Sequence, residues 1–158
     1  MNKLPVNLDT KRQRGLAMVE MVFVVPILLL LMLTAAELGR GFYQYNTLVK
    51  ATRDGARHFA SSTFVGSSTT VDAARLAETI CLVQYGQTDC GGTQLLPDNL
   101  PAVDATVSTI DGITWVTVTA SYPFQFLPGN PLSGIMGLFG PGLPNTLTLN
   151  ATTTMRSL

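Results

Sequence analysis

The sequence predicts an α+β protein in which a long N-terminal helix carries a short second helix and a small antiparallel sheet of about three strands. Three observations predict this fold class. A run of 21 residues with a single charge is long enough to cross a bilayer as a helix. A later stretch has helical periodicity, and the C-terminal part alternates around a hairpin turn. We expect a basic leader at 1–15, a transmembrane and stem helix at 16–60, and an extracytoplasmic head at 61–158.

The apolar run extends from Leu16 to Ala36, and Glu20 is its one charged residue. The leader before it carries four basic side chains and one acidic side chain. The positive-inside rule therefore predicts a single span with a cytoplasmic N-terminus and a head on the opposite side of the membrane. Pro26 lies within the run and predicts a kink.

Helical periodicity continues beyond the apolar run and predicts that the helix goes on as a stem to Ala60, about 45 residues and roughly 65 Å in all. Apolar or small side chains recur at spacings of three or four, at Leu38, Phe42, Tyr45, Val49, Thr52, Ala56 and Phe59. Gly39 and Gly41 either permit close approach of a neighbouring chain or mark a bend.

The head begins with a segment at 61–70 that is rich in Ser, Thr and Gly and is expected to be a loop. Residues 71–85 predict the short helix, which Gly86 ends. Its apolar face consists of Ala73, Leu76, Ile80 and Val83.

Residues 103–122 predict a hairpin, because Asp111 and Gly112 suit a two-residue type I′ turn. With Ile110 opposite Ile113, the covered face pairs Val107 with Val116, Ala105 with Val118 and Val103 with Ala120. The other face pairs Ser108 with Trp115, Thr106 with Thr117 and Asp104 with Thr119. Such a pattern is typical of a sheet covered on one side.

Two segments follow the hairpin. Residues 123–144, rich in Gly, Pro and large apolar side chains, either fold under the sheet or form a contact surface. Residues 146–155 alternate again and predict a third strand, with Leu147, Leu149, Ala151 and Met155 on one side.

Cys81 and Cys90 lie nine positions apart, with glycines nearby that allow a turn. They form either a disulfide or two free thiols. The disulfide is favoured because the predicted topology places both cysteines in an oxidising compartment.

Glu20 requires an explanation, because a carboxylate at the centre of a membrane helix costs roughly 2.5 kcal/mol or more. Either it lies at the headgroups, in the outer turn of a span that starts at Met21, or it has a partner. Arg12, Gln13, Arg14 and Gly15 precede the apolar run, and Glu20 is the fifth residue after that glycine. This arrangement resembles the class III signal that prepilin peptidases cut after the glycine.

The resemblance extends from Arg14 to Ala60, which is similar to the N-terminal region of TadE-like pseudopilins of tight-adherence (Flp) pilus systems. The similar features are Val19 with Glu20, Pro26, the leucine-rich run 28–33, Glu37 with Gly39 and Arg40, and the pattern at 51–57. Met21 departs from the family, which usually has an aromatic residue after the glutamate.

The resemblance implies a pilin-like fold, with cleavage between Gly15 and Leu16 and a new amine on Leu16 that pairs with Glu20 of a neighbouring subunit. It also implies a minor subunit that initiates, primes or caps the pilus from the bacterial inner membrane, with the head in the periplasm. The implied partners are the prepilin peptidase, the major Flp pilin, a TadF-type pseudopilin and the inner-membrane assembly platform. Glu37, Arg40, Arg53 and Arg57 are the predicted subunit contacts.

Other functional classes find little support in the residues. The ten basic and ten acidic side chains cancel, so no field attracts nucleic acid. Hydrolase, metalloprotease and nucleotide-binding motifs do not occur in the sequence, and two Cys with one His are too few for a structural zinc site. We expect a non-enzymatic protein without a metal, a cofactor or a small-molecule substrate, and we expect His58 to face solvent on the stem.

Two alternative functions stay open. One is a single-span periplasmic binding module that is never cleaved. The other is a secreted adhesin released by ordinary signal peptidase, since Thr34, Ala35 and Ala36 resemble a small-residue cleavage site.

Overall fold

The computed structural model describes residues 10–62, 72–127 and 146–157, with side chains described for 17–61, 72–127 and 146–157. The described elements are two helices and three strands: α1 Thr10–Ser62, α2 Ala73–Tyr85, β1 Ala102–Ile110, β2 Ile113–Gln125 and β3 Thr146–Arg156. The strands form one antiparallel sheet in the order β1-β2-β3. This architecture confirms the predicted fold class. Most of the predicted loop at 61–70 and most of the apolar segment at 123–144 lie outside the described residues.

The first helix, α1, runs through the apolar segment and the stem without interruption. Its 53 residues correspond to about 80 Å. Pro26 lies inside the helix and does not end it. Within the described part of the chain, α1 is long and apolar enough to cross a membrane, and the most apolar stretch is not buried against the head.

The hairpin has the predicted register. Each predicted pair is present, from Val103 opposite Ala120 to Ile110 opposite Ile113. Asp111 and Gly112 have φ angles of 52° and 75°, the left-handed values that a type I′ turn requires at both positions. On β2 the even-numbered side chains from Val116 onward are buried, so one face of the sheet is covered, as predicted.

The second strand, β2, continues three residues past the predicted end at Tyr122, and Pro123 lies within it. The Ser157 N–H donates to the Thr114 carbonyl at 2.9 Å, so even-numbered residues of β2 bond to β3 and odd-numbered residues bond to β1. Pro123 therefore lacks an N–H on the β1 side, but β1 begins only at Ala102, opposite Ser121, and does not extend to the level of Pro123. No ladder hydrogen bond is lost, and the proline is tolerated.

The sheet packs its covered face on the C-terminal half of α1, with β2 antiparallel to the helix. At one end the Ser157 hydroxyl donates to the Ala60 carbonyl at 3.3 Å, and at the other end Gly41 faces the ring of Phe124. One buried cluster includes Leu48 and Tyr122, and a second includes Phe59 with its neighbours on β2. The end of the sheet that contains Gln125 consequently lies beside the part of α1 where the apolar stretch ends.

The second helix, α2, begins at its cap, where the Asp72 carboxylate accepts from the Ala74 N–H at 3.1 Å. It ends at Gly86, whose φ of 76° is left-handed, as predicted for the stop. The predicted apolar face is correct at Val83 but not at Ala73, which is exposed. Thr79 is buried instead, because its hydroxyl donates to the Arg75 carbonyl at 2.9 Å and needs no water.

The two helices are in close contact at Gly55. A Cβ built on this residue would lie 2.6 Å from Cγ2 of Val83, whereas a Cβ on Gly39 would have nothing within 4 Å. A Cβ on Gly41 would be in ordinary contact with Phe124. Close packing inside the chain thus depends on Gly55, a residue that the sequence analysis did not single out.

Candidate functional site: the junction between the apolar helix and the head

The predicted cleavage residues Gly15 and Leu16 lie within the helical backbone of α1, in the part where side chains are not described. Glu20 follows on the same helix and is exposed among exposed apolar side chains. Among the residues that the structure describes, Glu20 has no hydrogen bond or ion pair. Its carboxylate therefore faces whatever surrounds the helix rather than the head.

Glu37 and Arg40 lie where α1 meets the head. The Nη2 atom of Arg40 is 3.1 Å from Oε2 of Glu37. The same atom also donates to the backbone carbonyl of Gln125. The guanidinium carbon is 4.7 Å from the centre of the Phe124 ring, a cation–π contact. Glu37 is only 5% exposed. The pair thus fastens the end of β2 to the helix.

This ion pair is incompletely satisfied. Oε1 of Glu37 and Nε of Arg40 are buried without a hydrogen-bond partner, and so is Oε1 of Gln44 one turn further along α1. An unsatisfied buried polar atom typically costs about 1–3 kcal/mol. Three polar side chains of α1 therefore face the head at this level, although the adjacent helix surface is apolar.

The outward surface of the same turns is apolar. Leu38 is 52% exposed, Phe42 65% and Tyr45 41%. Leu38, Phe42 and Tyr45 belong to the stripe of apolar or small side chains that recurs along α1 at spacings of three or four. Three other members of this stripe, Thr52, Ala56 and Phe59, are buried. The apolar stripe of α1 therefore changes from outward to inward between Tyr45 and Leu48, which is fully buried.

An apolar groove opens between these turns and the end of the sheet. Its volume is about 420 Å³, and its lining includes Glu37, Phe42, Phe124, Phe126, Leu147 and Leu149. No signal in the sequence predicted this groove, because it is formed by residues of α1, β2 and β3 that are far apart along the chain.

The four predicted subunit contacts fall into two pairs. Glu37 and Arg40 have their charged groups bound within the chain. Arg53 and Arg57 are exposed on α1, so a contact with a neighbouring subunit stays a prediction for these two.

The prediction that His58 faces solvent is wrong. Its side chain is 25% exposed, Nε2 lies 3.8 Å from a carboxylate oxygen of Glu78 on α2, and Nδ1 is buried without a partner. The reason is that α2 packs along this flank of α1. Among the described residues no group of three His, Cys, Asp or Glu side chains could hold a metal ion.

The segment between α2 and β1 is held to the head by several contacts. Cys81 and Cys90 are bonded to each other, with their Cα atoms 4.9 Å apart. The Tyr122 hydroxyl donates to the Pro97 carbonyl at 2.6 Å. Burial, together with the nearby Asp98 carboxylate, raises the pKa of Tyr122 above its usual value, and Arg40 opposes the shift.

Comparison with known families gives one finding. Residues 15–57 match the family described as TadE-like protein. The matched segment contains Gly15, Glu20 and all four predicted subunit contacts, and it ends before α2 and the sheet. Comparison with curated proteins and with solved structures gives no match.

This finding confirms the resemblance that the residues of α1 carry. TadE-like proteins are components of the Tad pilus. The apolar half of α1 is consistent with a protein that spans the membrane once. Over residues 15–57 the chain is therefore similar to the TadE-like family, and this similarity associates it with a Tad pilus.

Proposed function

We propose that this chain is a non-enzymatic minor pseudopilin that takes part in the assembly of a Flp-type (type IVb) tight-adherence pilus, by initiating, priming or capping it. Prepilin peptidase cuts it between Gly15 and Leu16. The observation that carries the proposal is Glu20, an exposed carboxylate in an apolar helix with no partner among the described residues.

The physical argument concerns the cost of that charge. That cost is roughly 2.5 kcal/mol or more at the centre of a membrane span and smaller toward its ends, and a partner of opposite charge lowers it at either depth. Cleavage before Leu16 creates an amine at the start of the apolar helix, and an amine from a neighbouring subunit neutralises Glu20. The ion pair then sets the register between subunits, which is the best-attested role of a buried charge.

The topology of the proposed subunit follows from its charge distribution. The basic leader stays in the cytoplasm of a bacterium, α1 crosses the inner membrane once, and the head lies in the periplasm. The proposed partners are the lipid bilayer, the prepilin peptidase, the major Flp pilin, a TadF-type pseudopilin and the inner-membrane platform. Arg53 and Arg57, exposed on α1 beyond the membrane, are available to contact a neighbouring subunit.

The experiment replaces Glu20 by alanine in the full chain and measures the surface pilus, the processing of the leader and the membrane fraction. Glu20→Ala should retain insertion, because the span becomes more apolar, and should reduce the pilus roughly tenfold or more, the effect of about 1.4 kcal/mol in the assembly equilibrium. Asp104→Ala is the matched control, since it removes an exposed carboxylate on the sheet, outside α1 and away from the proposed contacts.

Two outcomes would decide against the proposal. One is a Glu20→Ala strain with the processing and the pilus of the wild type. The other is an equal loss of pilus in Glu20→Ala and Asp104→Ala, which would make the effect one of net charge rather than of position.

A further inference from the structure

The inference begins with the polarity of α1 next to the head. In a water-soluble protein the apolar side chains of a helix face the core and the polar ones face outward. Residues 37–45 show the opposite arrangement: Glu37 and Gln44 are buried against the head, while Leu38 and Phe42 are exposed. From Leu48 onward the ordinary arrangement holds, with Lys50 and Arg53 outside.

An excess of charged residues in this part of α1 does not explain the reversal. Between Met21 and Val49 the only charged residues are Glu37 and Arg40, and they are paired with each other against the end of β2. The outward surface at this level consequently carries no free charge. It is continuous with the exposed apolar surface of the preceding span.

The length of this surface matches a bilayer. From Glu20 to Tyr45 a helix rises about 38 Å, which is more than the roughly 30 Å of a hydrocarbon core and less than the ~40–45 Å of a bilayer with both headgroup layers. The change of polarity between Tyr45 and Leu48 therefore falls where the lipid would meet water. Tyr43 and Tyr45, both exposed, lie in the layer where tyrosine is enriched in membrane proteins.

The head reaches the same level. Arg40 holds the carbonyl of Gln125, and Leu127 lies two residues further along the chain and is 57% exposed. Leu147, opposite Phe124 in the sheet, is 51% exposed. Leu147 lines one groove with Leu38, Phe42 and Tyr45 of α1. Leu127 directly follows Phe126, another residue of that lining.

We infer that this base of the head, formed by Leu38, Phe42 and Tyr45 of α1 with Leu127 and Leu147, is a lipid-docking surface in the bilayer that α1 crosses. Phospholipid acyl chains near the headgroups fill the adjacent groove of about 420 Å³, whose apolar lining offers water few partners. Lipid is the occupant because the surface continues that of the span and ends at the depth where a bilayer ends. The head therefore contacts the membrane surface directly and is not separated from it by a length of solvent-exposed helix.

The test uses the full chain in phosphatidylcholine liposomes that contain a nitroxide-labelled lipid. Leu127→Cys and Leu147→Cys are each labelled with a small fluorophore without reductant, so that the native cysteine pair stays bonded. The matched control is Ile110→Cys, because Ile110 is equally exposed at 59% but lies at the hairpin turn, the opposite end of the head. Circular dichroism establishes that each variant has the wild-type fold.

The proposal predicts strong quenching at positions 127 and 147 and little quenching at position 110. Equal quenching at the three positions would overturn it. Disulfide-linked dimers through position 127 or 147, with no quenching by the nitroxide lipid, would assign the surface to a second copy of the chain and would also overturn it.

A second measurement remains informative if one cysteine variant fails to fold. Phe42→Trp in a Trp115→Phe background should be quenched by brominated lipid in the same liposomes, and an unquenched tryptophan there would refute the inference. The uncleaved chain serves for all of these experiments. Their failure would therefore leave the proposed cleavage and the role of Glu20 untouched.

Discussion

Gly55→Ala tests the packing of the two helices on which the head is built. The new Cβ would lie 2.6 Å from Cγ2 of Val83 and 3.4 Å from Cγ2 of Thr79. Carbon atoms in favourable contact are about 3.5–4.0 Å apart. Val83 is buried and branched at Cβ, so its methyl group cannot move away without adopting an unfavourable rotamer.

The expected effect is the difference between two opposing contributions. Overpacking of this kind costs about 1–3 kcal/mol, and replacing glycine by alanine within a helix gains up to about 1 kcal/mol. We expect a net loss of about 1–2 kcal/mol in the free energy of unfolding. In a protein of this size that loss lowers Tm by roughly 2–8 °C.

The chain provides a matched control for the same substitution in the same helix. A Cβ on Gly39 meets nothing within 4 Å, so Gly39→Ala should be neutral or stabilising by up to about 1 kcal/mol. In addition, Gly55→Ala should become stabilising in a Val83→Ala background, where the opposing methyl groups are gone. The double-mutant cycle should give a coupling of about 1–3 kcal/mol.

The assay is denaturant unfolding of the full chain in detergent micelles, followed by near-UV circular dichroism and by far-UV circular dichroism. If Gly55→Ala were as stable as Gly39→Ala, or if the cycle gave no coupling to Val83, the reasoning about helix contact would be refuted.

Three further predictions concern the head. The folded-state pKa of Tyr122 is raised, so its contribution to stability is complete below about pH 10 and is lost as the pH rises through the folded-state pKa. Denaturant unfolding measured from pH 8 to 11 should show this decline in stability. The decline should be smaller in Tyr122→Phe. Arg40→Leu leaves Glu37 buried without a partner and should lower the free energy of unfolding by about 2 kcal/mol, which is less than for a fully buried pair because Arg40 is partly exposed. Adding Glu37→Leu should recover most of this loss. If the effects of the two substitutions were additive, the pairing would be contradicted. Cys90→Ser should cost about 2–3 kcal/mol by chain entropy, and dithiothreitol should lower wild-type stability to the level of the variant but should not affect the variant itself.

Sequence reasoning succeeded where local chemistry determines geometry. Asp111 and Gly112 require a turn with two left-handed residues, and that turn together with alternation fixes every pair of the hairpin. The end of β2 was missed because proline normally ends a central strand. Whether Pro123 forfeits a hydrogen bond depends on where β1 begins, which is a tertiary fact.

The side of α1 that faces the head could not be predicted from periodicity alone. A stripe at spacings of three or four shows which side chains share a face, but it does not show whether protein or lipid covers that face. Glu37 and Gln44 are buried and Phe42 is exposed because the environment changes along the helix. Similarly, Gly55 acquires its role only through Val83, and His58 is half-buried only because α2 packs beside it.

The central claim is that the chain is a processed pseudopilin, and the amino-terminal residue of the protein isolated from its native membrane tests this claim most directly. Edman degradation or mass spectrometry of the intact protein should find Leu16 as the first residue. An intact leader beginning at Met1 would contradict the account in favour of an uncleaved anchored module, and a chain beginning at Glu37 would contradict it in favour of a secreted protein.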